Sequence, residues 1–373
     1  MNITLIEPFH TGSHAAWAEE FTRHSRHRIE LLTLAGRHWK WRMHGGAVTL
    51  AQRFLESSFR PDLLLASDML DLGLFLALTR AETAETATAV YFHENQLTYP
   101  WSPDDRDPGH QRDAHYAFIN YSSALAADAV LFNSHYHLEE FNAELPGFLR
   151  SFPDQNNLAT LAELAERSCV LPLGLDLQRF DRHRVDLQDG SRPPLTLWNH
   201  RWEYDKNPEE FFQALFCLQD EGYQFEVAVL GESFGKQPPI FAEAKERLGD
   251  KVVQFGYADD FATYARWLWR ADLLPVTSTH DFFGASVVQA IYCNTLPLLP
   301  QRLAYPEHVP TELHEQVFYR DFEDLLERMR RQLAGKAGEP DPRLRMAALR
   351  YDWPQMIETY DDLLESIAAK RRN

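Results

Sequence analysis

The stretch RHRVDLQDGSRPPLTLW, residues 182–198, ends one structural pattern and begins another. Its first part is polar and finishes in a proline pair, which can continue neither a helix nor a central strand, so it predicts a linker. On both sides of this linker, short apolar runs alternate with segments of helical period. Such alternation is typical of a parallel sheet covered by helices, and its restart at Leu195 predicts two halves of this kind.

The predicted strands are short and rich in apolar or β-branched residues. In the first half they cover residues 2–6, 29–33, 63–66, 89–92, 129–132 and 169–171, with helices at 15–22, 48–58, 72–78, 110–126 and 135–143. In the second half they cover residues 195–198, 225–230, 252–255, 273–276 and 295–298, with helices near 208–220, 238–248, 259–271 and 286–293. The closing segment, YDWPQMIETYDDLLESIAAKRR, predicts a helix that begins at Pro354.

These elements predict an α/β protein of two Rossmann-like, doubly wound domains that face each other across a cleft. We expect the first domain to cover residues 1–180 and the second to cover residues 190–350. Ligands of doubly wound sheets bind beyond the carboxyl ends of the strands. Candidate site residues are therefore expected in the loops that directly follow strands.

The composition limits the class of partner. The chain has 373 residues, of which 45% are hydrophobic and 25% are charged, as in globular proteins. A formal net charge of -18 argues against general binding to nucleic acid, so any such contact must be local. The three cysteines form no CxxC pair, and we find neither a signal peptide nor an apolar run of membrane length. We therefore expect a soluble, cytoplasmic protein that does not contact membranes.

Two loops of the first half carry candidate functional residues. EPFHTGSHAAW puts Gly12 and Ser13 directly before a helix, where backbone N–H groups favour a phosphate; the alternative is that Ser13 is only an N-cap. YFHENQLTYPW places His93 and Glu94 at the mouth of the fourth strand. A histidine there is either catalytic or a structural residue whose hydrogen bonds are satisfied within the fold.

One loop of the second half suits a diphosphate. LWNHRWEYDKNPEEF carries Arg201 and Lys206 on either side of a turn, and two cations at this spacing can neutralise the charge of a leaving diphosphate. The alternative is a surface ion-pair cluster of these two residues with Glu203 and Asp205. The loop by itself favours neither interpretation.

The segment RHWKWRMHGG, residues 37–46, interleaves basic and aromatic side chains. Arginine and lysine hold phosphates and tryptophan stacks on bases, so this pattern is typical of a grip on a nucleic acid. Alternatively, the tryptophans share one strand face or pack in the core while the basic residues keep a loop soluble. The residues concerned are Arg37, Trp39, Lys40, Trp41 and Arg42.

The segment TSTHDFFGASVVQAIYCNTLPLLP, residues 277–300, resembles the E-x7-E region of retaining glycosyltransferases of family 4. Those are two-domain GT-B enzymes that take a sugar from a nucleoside diphosphate. In this chain Asp281 stands at the first Glu of the motif, Gly284 keeps its glycine, and Gln289 stands at the second Glu. The glutamine loses a charge but keeps an acceptor oxygen, so we expect altered nucleotide selectivity rather than loss of binding.

A narrower resemblance covers residues 1 to about 300. PFHTGSHAAW, GRHWKWRMHGGA, RPDLLLASDMLDL, YFHENQLTYPW, LFNSHYHLEEF, LWNHRWEYDKNP and HDFFGASVVQAIYCNTLPLLP are together similar to the tRNA-queuosine α-mannosyltransferase family. This resemblance implies that mannose is transferred from GDP-mannose to the cyclopentene-diol of queuosine at the wobble position of a tRNA, with retention of configuration. It also implies that the helix within residues 351–373 packs back on the first domain.

The same resemblance implies roles for the candidate residues. Arg201, Lys206 and the Gly12 amide would stabilise charge on the leaving diphosphate without a metal ion, and His93 would lie beside the sugar. Donor contacts are implied for Gly12, Ser13, Arg201, Lys206, Asp281, Phe282, Phe283, Gly284 and Gln289. Contacts with the acceptor or its RNA are implied for Arg37, Trp39, Lys40, Trp41, Arg42, Glu94 and Asn95. No cofactor is expected beyond the nucleotide-sugar donor.

Two other functions are open at this point. One is a family-4 glycosyltransferase that uses another nucleotide sugar and a small-molecule or glycan acceptor, which the acidic charge favours. The other is a non-catalytic RNA-binding or nucleotide-binding relative, which the loss of the second Glu at Gln289 makes conceivable. The oligomeric state is not indicated by any feature of the sequence.

Overall fold

The computed structural model describes residues 1–103, 105–108, 114–185, 192–232, 237–335 and 340–372, apart from the side chain of Arg372. The chain divides into two compact units. The first consists of Met1–Leu175 with Trp353–Asn373, and the second of Asp176–Asp352. The start of the helix predicted at 110–126 and the centre of the predicted linker lie outside the described residues.

The first unit is a parallel sheet with the strand order β2-β1-β3-β4-β5-β6. Its strands are β1 (Asn2–His10), β2 (Arg28–Ala35), β3 (Leu63–Ser67), β4 (Ala87–Phe92), β5 (Ala129–Phe132) and β6 (Ser168–Val170). Its helices before the linker are α1 (Gly12–His24), α2 (Trp39–Glu56), α3 (Leu72–Thr83), α4 (Ala114–Ala126), α5 (His135–Arg150) and α6 (Thr160–Arg167). Every residue of β3 and β4 is buried, as expected for strands covered by helices on both faces.

The direction of winding in this sheet reverses next to β1. The chain passes from β1 to β2 on one side and then returns to β3 on the other side of β1. The carboxyl ends of β1, β3 and β4 lie beside one another at this reversal, because β1 pairs with β3 and β3 pairs with β4 in parallel. Such a reversal is where doubly wound sheets bind ligands.

The second unit repeats the architecture with the strand order β12-β11-β10-β7-β8-β9. Its strands are β7 (Leu195–Trp198), β8 (Glu226–Val229), β9 (Val252–Phe255), β10 (Leu273–Pro275), β11 (Leu296–Pro300) and β12 (Phe318–Tyr319). Its helices are α7 (Pro208–Asp220), α8 (Ile240–Leu248), α9 (Phe261–Arg270), α10 (Ala285–Tyr292), α11 (Tyr305–His308), α12 (His314–Val317), α13 (Phe322–Leu333) and α14 (Pro342–Leu349). An aromatic core around Trp198, Phe211 and Phe241 lies between this sheet and its helices.

The last helix, α15 (Trp353–Arg372), belongs to the first unit. The Trp17 indole of α1 donates to the Tyr360 hydroxyl at 3.1 Å, and that hydroxyl donates to the Pro172 carbonyl at 2.8 Å. At the other end of α1, the Ser25 hydroxyl donates to Asp361 at 2.6 Å. These buried and half-buried bonds fix α15 to the first unit, which therefore consists of two separate parts of the chain.

The predicted strands and helices are confirmed, with one large difference. The segment at 37–46 was predicted with a strand or a loop as the alternative to a nucleic-acid grip, but residues 39–46 form the start of α2. Met43, Ala47 and Leu50 recur on one buried face of this helix, and the ring of Trp41 covers Gly45. The glycine pair, which usually interrupts a helix, is accommodated because neighbouring side chains pack where its own would be. Strand β12 and helices α11, α12, α13 and α14 were not predicted.

No helix among the described residues is both long and apolar enough to cross a membrane.

The contact between Gly174 and α15 predicts a stability difference between two glycine substitutions. A Cβ at Gly174 would lie 2.7 Å from three ring carbons of the buried Trp353, so we expect Gly174→Ala to lower the free energy of unfolding by about 1–3 kcal/mol. Gly147 lies inside α5 with nothing within 4 Å of its Cβ position, so Gly147→Ala should raise it by about 0.5–1 kcal/mol. Urea unfolding measures both values, and equal effects of the two substitutions would contradict the packing argument.

Candidate active-site residues

Four polar side chains meet at the winding reversal of the first unit. Glu7 lies near the end of β1, Asp68 follows β3, and His93 follows β4, while His14 lies in the first turn of α1. Because the three strands are parallel and adjacent, their carboxyl ends bring these side chains together. Only His93 among the four was predicted from sequence, and the other three share its signal, which is a polar side chain just beyond a buried strand or at the start of the following helix.

His14 and Glu7 form a buried hydrogen-bonded ion pair. His14 Nδ1 lies 3.0 Å from Glu7 Oε2, and Glu7 Oε1 accepts the Phe9 N–H at 2.7 Å. Burial by itself would lower the pKa of His14, but the charge and the hydrogen bond of Glu7 raise this pKa to about 9. His14 is therefore a cation at neutral pH, and it neutralises Glu7.

Backbone hydrogen bonds and contacts with three aromatic rings fix the position of His93. Its backbone N–H donates to Asp68 Oδ1 at 2.8 Å, and its carbonyl accepts from Asn133 at 2.9 Å. The rings of His14, Trp17 and Tyr91 lie with centroids 4.3, 4.6 and 4.8 Å from its own. Burial and the neighbouring His14 charge lower the pKa of His93, so it is neutral. Its Nε2 is buried and has no hydrogen-bond partner among the described residues.

Glu7, His14 and His93 are also the described residues whose arrangement comes nearest to a metal site. One ligand atom from each lies within 4.8 Å of the others. The hydrogen bond between His14 and Glu7 already uses an atom of each, so these two residues satisfy one another without an ion. We therefore assign the group to hydrogen bonding.

The glycine loop before α1 has the geometry of an anion site. Gly12 has a φ of +52°, in the left-handed region that favours glycine. The N-cap residue is Thr11 and no side chain caps the helix, so the alternative of Ser13 as the N-cap was wrong. The first-turn N–H groups that follow are left for a ligand or solvent.

The basic and aromatic residues of α2 divide into two sets. Lys40 lies over the rings of Trp39, Trp101 and Tyr116, and its ammonium binds Asp107 and, at 2.7 Å, Asp105. Lys40 and Trp39 therefore hold the segment around residue 105 rather than presenting a free surface.

The outward set consists of Trp41, Arg37 and Arg42. Trp41 is 63% exposed, and its ring packs against Gly45. Arg37 is exposed, and Arg42 Nε donates to the Ala35 carbonyl at 3.1 Å. An exposed tryptophan ring in a segment that also carries two arginines is suited to stacking on a base.

Glu94 and Asn95 belong to the turn after His93. Asn95 is buried, and its Oδ1 accepts the N–H groups of Leu97 and Thr98 at 3.0 and 2.9 Å, so its side chain shapes the loop. Glu94 accepts from Gln96 Nε2 at 2.9 Å. The side chain of Asn95 therefore supports the conformation of this turn.

In the second unit, Lys206 joins the loops that follow β7 and β10. Its buried ammonium donates to the His280 carbonyl at 2.8 Å and lies 3.1 Å from Asp205 and 3.5 Å from Asp281. Burial by itself would lower the pKa of Lys206, but Asp281 and Asp205 raise it. Burial would raise the pKa of Asp281, and Lys206 lowers it. Both groups are therefore charged, and two motifs that are distant in sequence form one cluster.

Arg201 is the accessible cation of this loop. Its side chain is 44% exposed and lies 3.8 Å from Glu203. The ion pairs of the surface-cluster alternative are thus present, but the Lys206 pair is buried while the Arg201 pair is open. Arg201 is consequently the residue with a guanidinium that a diphosphate can approach.

The start of α10 is built around Gly284. Its φ is +84°, and a Cβ there would lie 2.9 Å from the ring of Tyr305, whose hydroxyl donates to Asp281 at 3.2 Å. Phe282 and Phe283 are buried, and the Phe283 carbonyl is bonded to His308 Nε2. Only glycine fits this position without moving Tyr305.

Gln289 has a partner that the sequence did not indicate. The Tyr264 hydroxyl donates to Gln289 Oε1 at 2.8 Å. The amide oxygen expected to receive a ribose hydroxyl thus already accepts one hydrogen bond, and the amide NH₂ offers two donors to a ligand. This arrangement differs from a carboxylate, which offers only acceptors.

His200 was also missed by the sequence reading. It follows β7 directly before Arg201, and its Nδ1 lies 3.1 Å from the hydroxyl of Ser286 in the first turn of α10. Asn199 Nδ2 donates to the Ser286 carbonyl at 2.8 Å. These two bonds attach the arginine loop to the start of α10.

Comparisons with known proteins agree with these features. A family model described as tRNA-queuosine alpha-mannosyltransferase N-terminal matches residues 2–175. The tRNA-queuosine alpha-mannosyltransferase of Drosophila melanogaster is 34% identical over 320 residues, which are 83% of this chain and 82% of the fly protein. A GDP-mannose-dependent alpha-(1-6)-phosphatidylinositol dimannoside mannosyltransferase of Mycobacterium tuberculosis is 24% identical over 273 residues, 70% of this chain and 63% of that protein.

A solved structure is similar over nearly the whole chain. Sucrose-phosphate synthase from Thermosynechococcus elongatus has a TM-score of 0.73 at 15% identity, and the match covers 99% of this chain and 100% of that chain. At this level of identity the likeness shows the fold. The predicted GT-B fold is confirmed.

Three buried histidines of the second unit predict acid sensitivity. Burial is the main cause that lowers the pKa of His200, His280 and His308 to about 4. Between pH 6.5 and 4 the unfolded chain binds more protons at these residues than the folded chain, so stability falls as the pH falls. Each histidine contributes at most ~1.4 kcal/mol per pH unit in this window.

The substitution His308→Gln tests this dependence. It removes one titrating group, so the slope of unfolding free energy against pH between 4 and 6.5 should decrease relative to the unmodified protein. Urea unfolding at a series of pH values measures the slope. His183→Gln, at a histidine that is only half buried, serves as the control and should keep the original slope.

Proposed function

The chain belongs to the tRNA-queuosine alpha-mannosyltransferase family, and we propose that it transfers mannose from GDP-mannose to the cyclopentene-diol of queuosine at the wobble position of a tRNA. The observation that carries the proposal is the buried cluster of Lys206 with Asp281. It joins the two motifs that resemble the donor-binding sequences of family-4 glycosyltransferases. A tRNA acceptor implies that the enzyme works in the cytoplasm.

The donor is bound by the second unit in this proposal. Arg201 contacts the diphosphate, because its guanidinium is exposed and its loop is attached to the first turn of α10. Lys206 pairs with Asp281 and so holds this carboxylate in place. Asp281, together with the Phe282 and Phe283 backbone, binds the mannose hydroxyls. The name of the mycobacterial relative, which is GDP-mannose-dependent, supports GDP-mannose as the donor.

Gln289 takes the ribose in this scheme, but with its NH₂ rather than its oxygen. The Gln289 oxygen already accepts the Tyr264 hydroxyl, so the Gln289 NH₂ donates to the oxygen of a ribose hydroxyl. The nucleotide contact therefore differs from the carboxylate contact that the family motif implies.

The transfer step needs no carboxylate nucleophile. The bond between mannose C1 and the phosphate oxygen breaks, and the electron pair leaves with GDP. The acceptor hydroxyl oxygen bonds to C1 on the same face, and its proton passes to the departing phosphate, so configuration is retained. Cations and backbone N–H groups stabilise the phosphate charge, which makes a metal ion unnecessary.

The first unit serves the acceptor. Neutral His93 donates or accepts a hydrogen bond at the reacting hydroxyls, because its buried Nε2 has no partner in the described chain. Trp41 stacks on a base of the anticodon loop, with Arg37 and Arg42 at neighbouring phosphates. The grip is local, which agrees with a chain whose formal net charge is -18.

Mass spectrometry of digested nucleosides tests the reaction. Incubation with GDP-mannose and queuosine-containing tRNA should add one hexose to queuosine, and tRNA that lacks queuosine should gain none. Arg201→Gln should weaken GDP binding at least tenfold while the protein stays folded, because the side chain is half exposed. No hexose on queuosine, with GDP still bound, would contradict the proposed acceptor.

The exposed ring of Trp41 predicts a specific effect on RNA. Trp41→Ala should raise the apparent KM for queuosine-tRNA roughly tenfold and leave GDP affinity unchanged, because base stacking is lost. Leu55→Ala is the matched control, since Leu55 is also exposed on α2 but lies at its other end. If the two variants have equal KM values for tRNA, the stacking role is wrong.

A further inference from the structure

Asp68 is a buried carboxylate that the fold holds rigidly. Its backbone N–H donates to the Tyr91 carbonyl at 3.1 Å, and its own carbonyl accepts from Asn120 at 2.9 Å. Its Oδ1 accepts the His93 N–H at 2.8 Å. The residue is 1% exposed. Main chain and carboxylate are thus fixed at the junction of β3 and β4.

The second carboxylate oxygen of Asp68 is unused. In the part of the chain that the structure describes, Oδ2 has no hydrogen-bond or ion-pair partner. An ionised carboxylate out of water is costly unless its oxygens are bonded. The other carboxylate oxygen holds the His93 N–H, and His93 Nε2 is buried without a partner in the described residues. Two residues that are bonded to each other thus each carry a polar atom without a partner in the described chain, which indicates a place for a ligand.

Charge determines which ligand fits this place. Glu7 and Asp68 both lie near His14, which is the cation that acts on them among the described residues. His14 is bonded to Glu7 at 3.0 Å, so its charge is matched there, and His93 is neutral. Burial, with Glu94 and Glu7, raises the pKa of Asp68. The surroundings therefore favour a ligand that brings a positive charge.

Queuosine has a positive charge in a suitable position. Its cyclopentene-diol is attached to the base through a secondary amine, and an aliphatic amine is protonated at neutral pH. The amine is separated by only a few bonds from the hydroxyls that receive the sugar. A carboxylate that binds the amine would thus also locate the diol.

We propose that Asp68 Oδ2 binds the protonated secondary amine of queuosine and so places the neighbouring diol against His93. This inference rests on the proposed function, because it assigns a part of that acceptor to a residue of the first unit. It makes Asp68 a residue that selects queuosine over a neutral acceptor. A metal ion is not needed to balance the charge, since the substrate provides the cation.

Binding of two nucleosides tests the proposal without relying on turnover. The first is queuosine, and the second is an analogue in which an ether oxygen replaces the amine, so that shape is kept and the charge is lost. Calorimetry should show that the unmodified protein binds queuosine roughly 10- to 100-fold more tightly than the ether.

Asp68→Asn should remove this preference. The amide keeps an oxygen for the His93 N–H but cannot balance a cation, so both nucleosides should bind about equally and weakly. GDP affinity should be unchanged. Asp128→Asn is the matched control, because Asp128 also accepts a backbone N–H, that of Thr88 at 2.9 Å, but at the amino end of β4. It should keep the full preference for queuosine.

The outcomes separate this inference from the proposed function. Hexose transfer to queuosine-tRNA together with an Asp68→Asn variant that still prefers queuosine would overturn the inference alone. If Asp68→Asn lowered the affinities for queuosine and for the ether by the same factor, the inference would also be overturned. Asp68 would then bind a hydroxyl or support the fold. Asp68-dependent binding of queuosine without hexose transfer would uphold the inference and contradict the proposed transfer. Neither binding nor transfer would overturn both.

Discussion

The buried ammonium of Lys206 is the interaction on which the second unit's site depends. A charge removed from water must be paired, and Lys206 is paired with the His280 carbonyl, Asp205 and Asp281. The hydroxyl of Thr277 adds a bond of 2.8 Å to the Asn207 carbonyl between the same two loops. Because the loops after β7 and β10 share one charge cluster, the exposed Arg201 and the start of α10 are held in a fixed relation.

The first unit satisfies the same requirement with a different pair. His14 neutralises Glu7 at the end of β1, and this pair packs against the ring of His93. His93 is kept neutral, whereas the neighbouring His14 is kept charged. Asp68 is the carboxylate of this group without a cation of its own among the described residues. In both units a buried charge close to a strand end is thus balanced by a neighbouring side chain of opposite charge.

The α2 helix shows how one sequence pattern divides between packed and exposed side chains. RHWKWRMHGG has the composition of a nucleic-acid grip, yet half of it points inward. Lys40 and Trp39 pack with Trp101 and Tyr116, and only Trp41 with its neighbouring arginines remains outside. Successive residues of a helix point in directions about 100° apart, so a run of ten letters spreads around the helix instead of covering one surface. A prediction made from composition alone cannot separate these sets.

The sequence by itself determined the two-fold repetition of strand and helix, because alternating apolar runs and a proline-rich linker are local signals. It also placed His93, Arg201, Lys206 and Asp281 beyond strand ends, where doubly wound folds bind ligands. Tertiary structure alone decided their partners. The pairing of Glu7 with His14, the open oxygen of Asp68, and the capture of the Gln289 oxygen by Tyr264 depend on contacts between separate segments. Burial and proximity set those protonation states and hydrogen bonds, and neither is a property of residue order.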